Sequence, residues 1–89
     1  MEHGISTDEQ QQALAQFVEA VQNPDFLSQA QTDCVQRRDY DQTVGKLFGL
    51  MNTFRNSHDA DHDSLFISGI RNADASLLVE VAKQAHAPS

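Results

Sequence analysis

The chain lacks most of what would staple a small fold or mark a reaction. Cys34 is the only cysteine in 89 residues, so no internal disulfide can form and no pair of CxxC motifs is present to hold structural zinc. Bases are scarce: six Lys and Arg stand against thirteen Asp and Glu, a formal net charge of -7. Binding to phosphate backbones needs a basic surface that releases counterions, so direct nucleic-acid binding is disfavoured. No run of about 20 apolar residues occurs, as a spanning helix would require, and no basic-then-apolar leader opens the chain. The expectation is a cytoplasmic protein with no membrane association. There is also no glycine-rich phosphate loop and no nucleophile motif, and so short a chain has little volume for a pocket of about 300 Å³ or more. Neither an enzyme nor a cofactor is expected.

What is present is a regular supply of large apolar side chains. A chain of this length buries only about 60 to 65% of the surface that its unfolded form exposes, so self-association or a partner is the expected supplement to stability. Residues 1–5 read as a flexible lead, 6–86 as a single helical domain and 87–89 as a C-terminal tail. Ser6 with Glu9, or Thr7 with Gln10, completes a capping box at the start of a first helix. Leu14, Phe17, Val18 and Val21 follow at helical spacing, with glutamines and glutamates on the other face. Asn23-Pro24 suits the cap and first position of a second helix, on which Phe26, Leu27, Ala30, Cys34 and Val35 form a narrower stripe. Cys34 reads as a buried structural thiol. Arg37 and Arg38 fall in that helix's last turn, where cations complement exposed carbonyls.

Asp39 and Gln42 stand at capping-box spacing before a third helix, whose broad face runs through Tyr40, Val44, Leu47, Phe48, Met51 and Phe54 and is widened by Leu50. Gly45 and Gly49 lie four apart on it. Each costs about 1 kcal/mol relative to alanine, which close approach of another helix would explain. Leu65, Phe66, Ile67 and Ile70 then form a compact patch, and a second cap signal at Asn72 or Asp74 precedes Leu77, Leu78, Val81, Ala82 and Ala85. Residues 64–86 are one interrupted helix or two short ones. LFISGI would also suit a strand, but no partner strand is evident. The fold expected is all-α: a small antiparallel bundle of four helices, or five, with the first, third and last supplying the core.

Within NSHDADHDSLF, residues 56–66, Asp59, Asp61 and Asp63 repeat the opening of a calcium loop. The glycine and bidentate glutamate that such a loop needs are replaced by Ser64 and Ile70. His58 and His62 stand four apart, which on a helix would let both imidazoles chelate one transition metal ion with help from Asp59 or Asp61. A further ligand would come from His3, His86 or a second subunit. The plainer expectation is a connection between the third and fourth helices, with Asp61 or Asp63 capping a helix that begins near Leu65.

Arg37 and Arg38 either pair with Asp33, Asp39 or Asp41 or contact a partner, while Leu50, Phe66 and Val79 lie off the best-defined stripes. The functional expectation is a small acidic protein-binding module, an adaptor, regulator or inhibitor acting without catalysis. Arg37, Arg38, Leu50 and Phe66 are its candidate partner contacts, and a homodimer is one form it could take. The alternatives are a metal-responsive module using His58, His62, Asp59, Asp61 and Asp63, and an acidic nucleic-acid mimic that blocks a basic groove.

Overall fold

The computed structural model describes residues 7–37, 42–56 and 59–86. Five helices account for nearly all of them: α1 Thr7–Gln22, α2 Pro24–Gln36, α3 Val44–Phe54, α4 Ala60–Arg71 and α5 Ala75–His86. No strand occurs among the described residues, and LFISGI lies within α4. The chain is an all-α bundle in which α1 lies against α3 and α5, and α4 lies against α5 and α2.

The break between α1 and α2 follows from two residues. Pro24 occupies the first helical position, and the Asn23 carboxamide oxygen accepts from the amides of Asp25 and Phe26 at 3.0 and 3.3 Å. A cap of this kind satisfies donors that an uncapped helix leaves orphaned. At its other end α2 stops at Gln36, before the arginine pair expected in its last turn. Arg37 is the C-cap, in the left-handed region at φ 58°, with its amide bonded to the Asp33 carbonyl; Arg38 lies outside the described residues.

α3 begins later than its spacing suggests. Gln42 precedes Thr43, the N-cap, so it cannot fill the third helical position of a box with Asp39, and Asp39 and Tyr40 lie outside the described residues. Thr43 makes no side-chain cap bond to its own helix. Its hydroxyl donates instead to the Asp33 carboxylate at 2.8 Å, and Gln29 donates to the other Asp33 oxygen at 2.8 Å. Asp33 is buried, so an acid that the sequence offers to Arg37 serves to tie α2 to the start of α3.

Residues 64–86 are divided between two helices. Asp74 N–H reaches the Gly69 carbonyl at 2.8 Å and Ala73 N–H the Ile70 carbonyl at 3.1 Å, the paired bonds of a left-handed helix stop. Ala73, at φ 50°, takes the place usually given to glycine. Asp74 then starts α5 by accepting from Leu77 N–H at 3.1 Å.

All five helices supply the core, with Phe17, Leu27, Leu47, Phe66 and Leu78 among its buried members and Cys34 also buried. Aromatic rings run through it as a row. Phe17 meets Phe54 edge-on at 5.4 Å and Phe66 at 6.1 Å, Phe66 continues to Phe48 at 5.5 Å, and Phe54 meets His86 edge-on at 6.3 Å. Edge-on and offset contacts place the positive rim of one ring against the negative face of another, which adds to the burial of apolar area.

Candidate protein-binding face

One end of the aromatic row reaches the surface. The Phe48 side of α3 is too broad to bury whole: Val44, Leu47, Met51 and Phe54 fill the core, while Phe48 remains 39% exposed. Beside its ring lies a groove of about 250 Å³ between α3 and α4, lined by Val44, Gly45, Phe48, Asp63, Phe66 and Ile67. Two further hollows meet it at Ile67. One is lined by Cys34, Arg37, Ile67 and Arg71, the other by Asp63, Ser64, Ile67, Ser68, Arg71 and Asn72. Ile67 is half-buried and Arg37 and Arg71 are exposed, so an apolar centre is bounded by guanidinium groups on one side and a carboxylate on the other.

The position of that carboxylate is set by how α4 begins. Asp59, in extended conformation (φ -97°, ψ 129°), is the N-cap, and its carboxylate accepts from Asp61 N–H at 2.9 Å. The helix therefore starts at Ala60, not near Leu65, and Asp61 and Asp63 lie in its first turn instead of capping it. Carboxylates there are favoured by the unpaired amides and the helix dipole. Asp63 pairs with Arg55 at 3.0 Å, the guanidinium almost wholly buried and the carboxylate half exposed. Arg55 also reaches Asn52 at 3.3 Å, so the end of α3 and the start of α4 are joined through one buried cation.

The metal reading loses the geometry on which its histidine pair depends. An extended Asp59 interrupts any continuous helix between positions 58 and 62, so helical spacing cannot set the two imidazoles on one face; His58 itself lies outside the described residues. Among those described, no three His, Cys, Asp or Glu side chains gather at one point. His62 is half-buried and its Nδ1 is buried without a hydrogen-bond partner. His86, suggested as a distant ligand, turns Nδ1 to the Phe54 carbonyl at 2.9 Å, and His3 lies outside the described residues.

The partner contacts read from the sequence divide. Arg37 is exposed at the hollow beside Ile67, and Arg38 is not described. Leu50 is half-buried against the core. Phe66 is a correction: at 1% exposure, between Phe17 and Phe48, it is a core residue that forms the floor of the groove and not an exposed contact. With α4 starting at Ala60, Phe66 and Ile70 share its buried side, while Leu65 is left 38% exposed.

No family model, curated protein or solved structure matches the chain.

The face is thus defined by its own geometry. Its two central members, the exposed Phe48 and the half-buried Ile67, fall on apolar stripes by spacing alone. A signal for Phe48 was present in the sequence: six apolar positions on an eleven-residue helix exceed the arc that one core contact covers. Arg71 carried no signal of its own.

Proposed function

We propose that the chain is a small acidic protein-binding module of the cytoplasm, an adaptor, regulator or inhibitor that acts without catalysis through the α3–α4 face. The observation that supports this most directly is the partly exposed Phe48 ring beside a groove lined by Val44, Phe66 and Ile67. Aromatic anchors in or beside apolar hollows rimmed by charge are where protein interfaces concentrate their binding energy. No described helix is long and apolar enough to cross a membrane, so a lipid-spanning role gives no account of that ring.

Affinity capture from the native host, with the intact chain and with Phe48→Ser run in parallel, tests the reading. A protein retained by the first and lost from the second, with helical content unchanged, is the expected result. Recovery that is indifferent to Phe48, or no specific recovery at all, overturns it.

A metal-responsive reading has one specific observation in its favour, the buried and unpartnered Nδ1 of His62 beside the acidic first turn of α4. Addition of Zn²⁺ or Ni²⁺ to dialysed protein should, on that reading, raise the melting temperature and release calorimetric heat, with both effects removed by His62→Ala. An unchanged melting temperature and no heat discard it.

A further inference from the structure

The charge pattern around Ile67 has an order that a generic binding face would not need. Asp63, Ile67 and Arg71 follow one another at intervals of four along α4, a carboxylate, an aliphatic side chain and a guanidinium about 6 Å apart along the helix axis. Turning such a stripe through a half-circle about Ile67 exchanges its two ends. A second α4 laid antiparallel across the first brings Ile67 onto Ile67, Asp63 onto Arg71 and Arg71 onto Asp63. The stripe is its own complement, which is what an isologous two-fold contact requires.

We propose that the α4 face is the two-fold interface of a homodimer, centred on Ile67, with the Asp63 and Arg71 ends paired across it. The proposal rests on the reading of the α3–α4 face as a protein-binding surface and names a second copy of the chain as its occupant. A net charge of -7 on each copy opposes self-association, so any stable contact has to be made where opposite charges are locally balanced. The Ile67 region meets that condition. Arg37 and Arg71 converge on its hollow, and neither guanidinium makes an ion pair among the described residues. The Asp63 carboxylate keeps half its surface open beyond its contact with Arg55. Of the other described bases, Arg55 is buried, Lys46 lies over the Phe26 ring at 5.8 Å, and the exposed Lys83 shares a hollow on α5 with Glu80. The contact also leaves the acidic side of α1 outward, since α1 packs chiefly on α3 and α5.

Light scattering on the intact chain from micromolar to sub-millimolar concentration should give a mass rising toward twice the 9.9 kDa of one copy. Arg71→Glu sets like charges against each other at both ends and should raise the dimer dissociation constant about tenfold or more, while the monomer's melt falls only by the few degrees that losing a cation at the end of α4 entails. Because Ile67 is half-buried, its position is tested without a charge. In a Cys34→Ala background, Ile67→Cys should yield a disulfide-linked dimer rapidly on treatment with diamide, and Gln84→Cys on the exposed side of α5 should not. A single-chain mass at every concentration overturns the proposal, as does a dimer that ignores Arg71→Glu and cross-links no faster from position 67 than from 84. If the chain is monomeric yet still captures a partner in a Phe48-dependent way, the dimer fails and the reading of the face survives. If both are lost, neither stands.

Discussion

Gly69 and Gly49 show how much a single missing Cβ can mean and how little. A Cβ placed on Gly69 would stand 2.8 Å from two carbons of Leu78, a fully buried side chain that would have to shift. Gly69 also accepts the Asp74 amide that ends α4, so the corner between α4 and α5 closes only because that position has no side chain. Gly69→Ala should therefore lower stability by about 1–2 kcal/mol, overpacking of about 1–3 kcal/mol being partly offset by the better helix propensity of alanine. A Cβ on Gly49 meets nothing within 4 Å. Gly49→Ala should raise stability by about 0.5–1 kcal/mol, since the gain in propensity is unopposed. Thermal melts of the two variants should move in opposite directions by a few degrees each. The sequence directs attention to Gly45 and Gly49 by their spacing; Gly49 meets no neighbour, whereas Gly69 does, and the side chain it must admit comes from the next helix and leaves no local trace.

At the scale of elements, helix starts were legible where a cap bonds its own helix directly ahead of the apolar run, and illegible where the cap acts elsewhere or a polar turn follows it. Asn23 and Asp74 bond the first turns that follow them; residue type and spacing point to the first outright and to the second as one of a pair with Asn72, which instead ends α4. Thr43, the N-cap of α3, turns its hydroxyl to Asp33 instead, a partner ten positions back, and so gives no local signal of the helix start. α4 begins five residues before its apolar patch because Asp59 supplies the cap and its first turn is polar and mostly solvent-facing. Its end carries no glycine, so one helix and two were equally readable until Ala73 was seen in the left-handed region. The Asp33–Thr43 pair has a measurable consequence. Asp33→Ala should cost about 2–3 kcal/mol, because it removes a buried acceptor and strands the buried Thr43 hydroxyl, while the exposed Gln29 amide turns to water. Thr43→Val should cost about 1 kcal/mol, and the double variant should cost less than the sum by about 1 kcal/mol in a denaturant-unfolding cycle. Additive costs would mean that the hydroxyl and the carboxylate do not act on each other.

The whole molecule is organised along the aromatic row, whose members serve different ends according to their distance from solvent. Phe17 stands inside it, fully buried between Phe54 and Phe66. An 89-residue domain has about 0.05–0.15 kcal/mol of net stability per residue, and truncating a buried phenylalanine to alanine costs about 3–5 kcal/mol. Phe17→Ala should therefore take most of the margin that separates folded from unfolded chain, and circular dichroism should show a large loss of helix or a melt shifted by more than ten degrees. Phe48 closes the same row on one side only, with 39% of its surface in water. Phe48→Ser leaves the contacts of Phe17 with Phe54 and Phe66 in place, gives up that of Phe48 with Phe66, and should cost about 1–2 kcal/mol, well below the loss of a fully buried ring. Paired melts decide whether the row divides in this way. If Phe48→Ser unfolds the chain as Phe17→Ala does, its exposed ring is a structural member of the core and the α3–α4 face loses its anchor. If it leaves the fold intact, that ring is apolar surface the domain does not need for its own stability, which is the property a binding face must have.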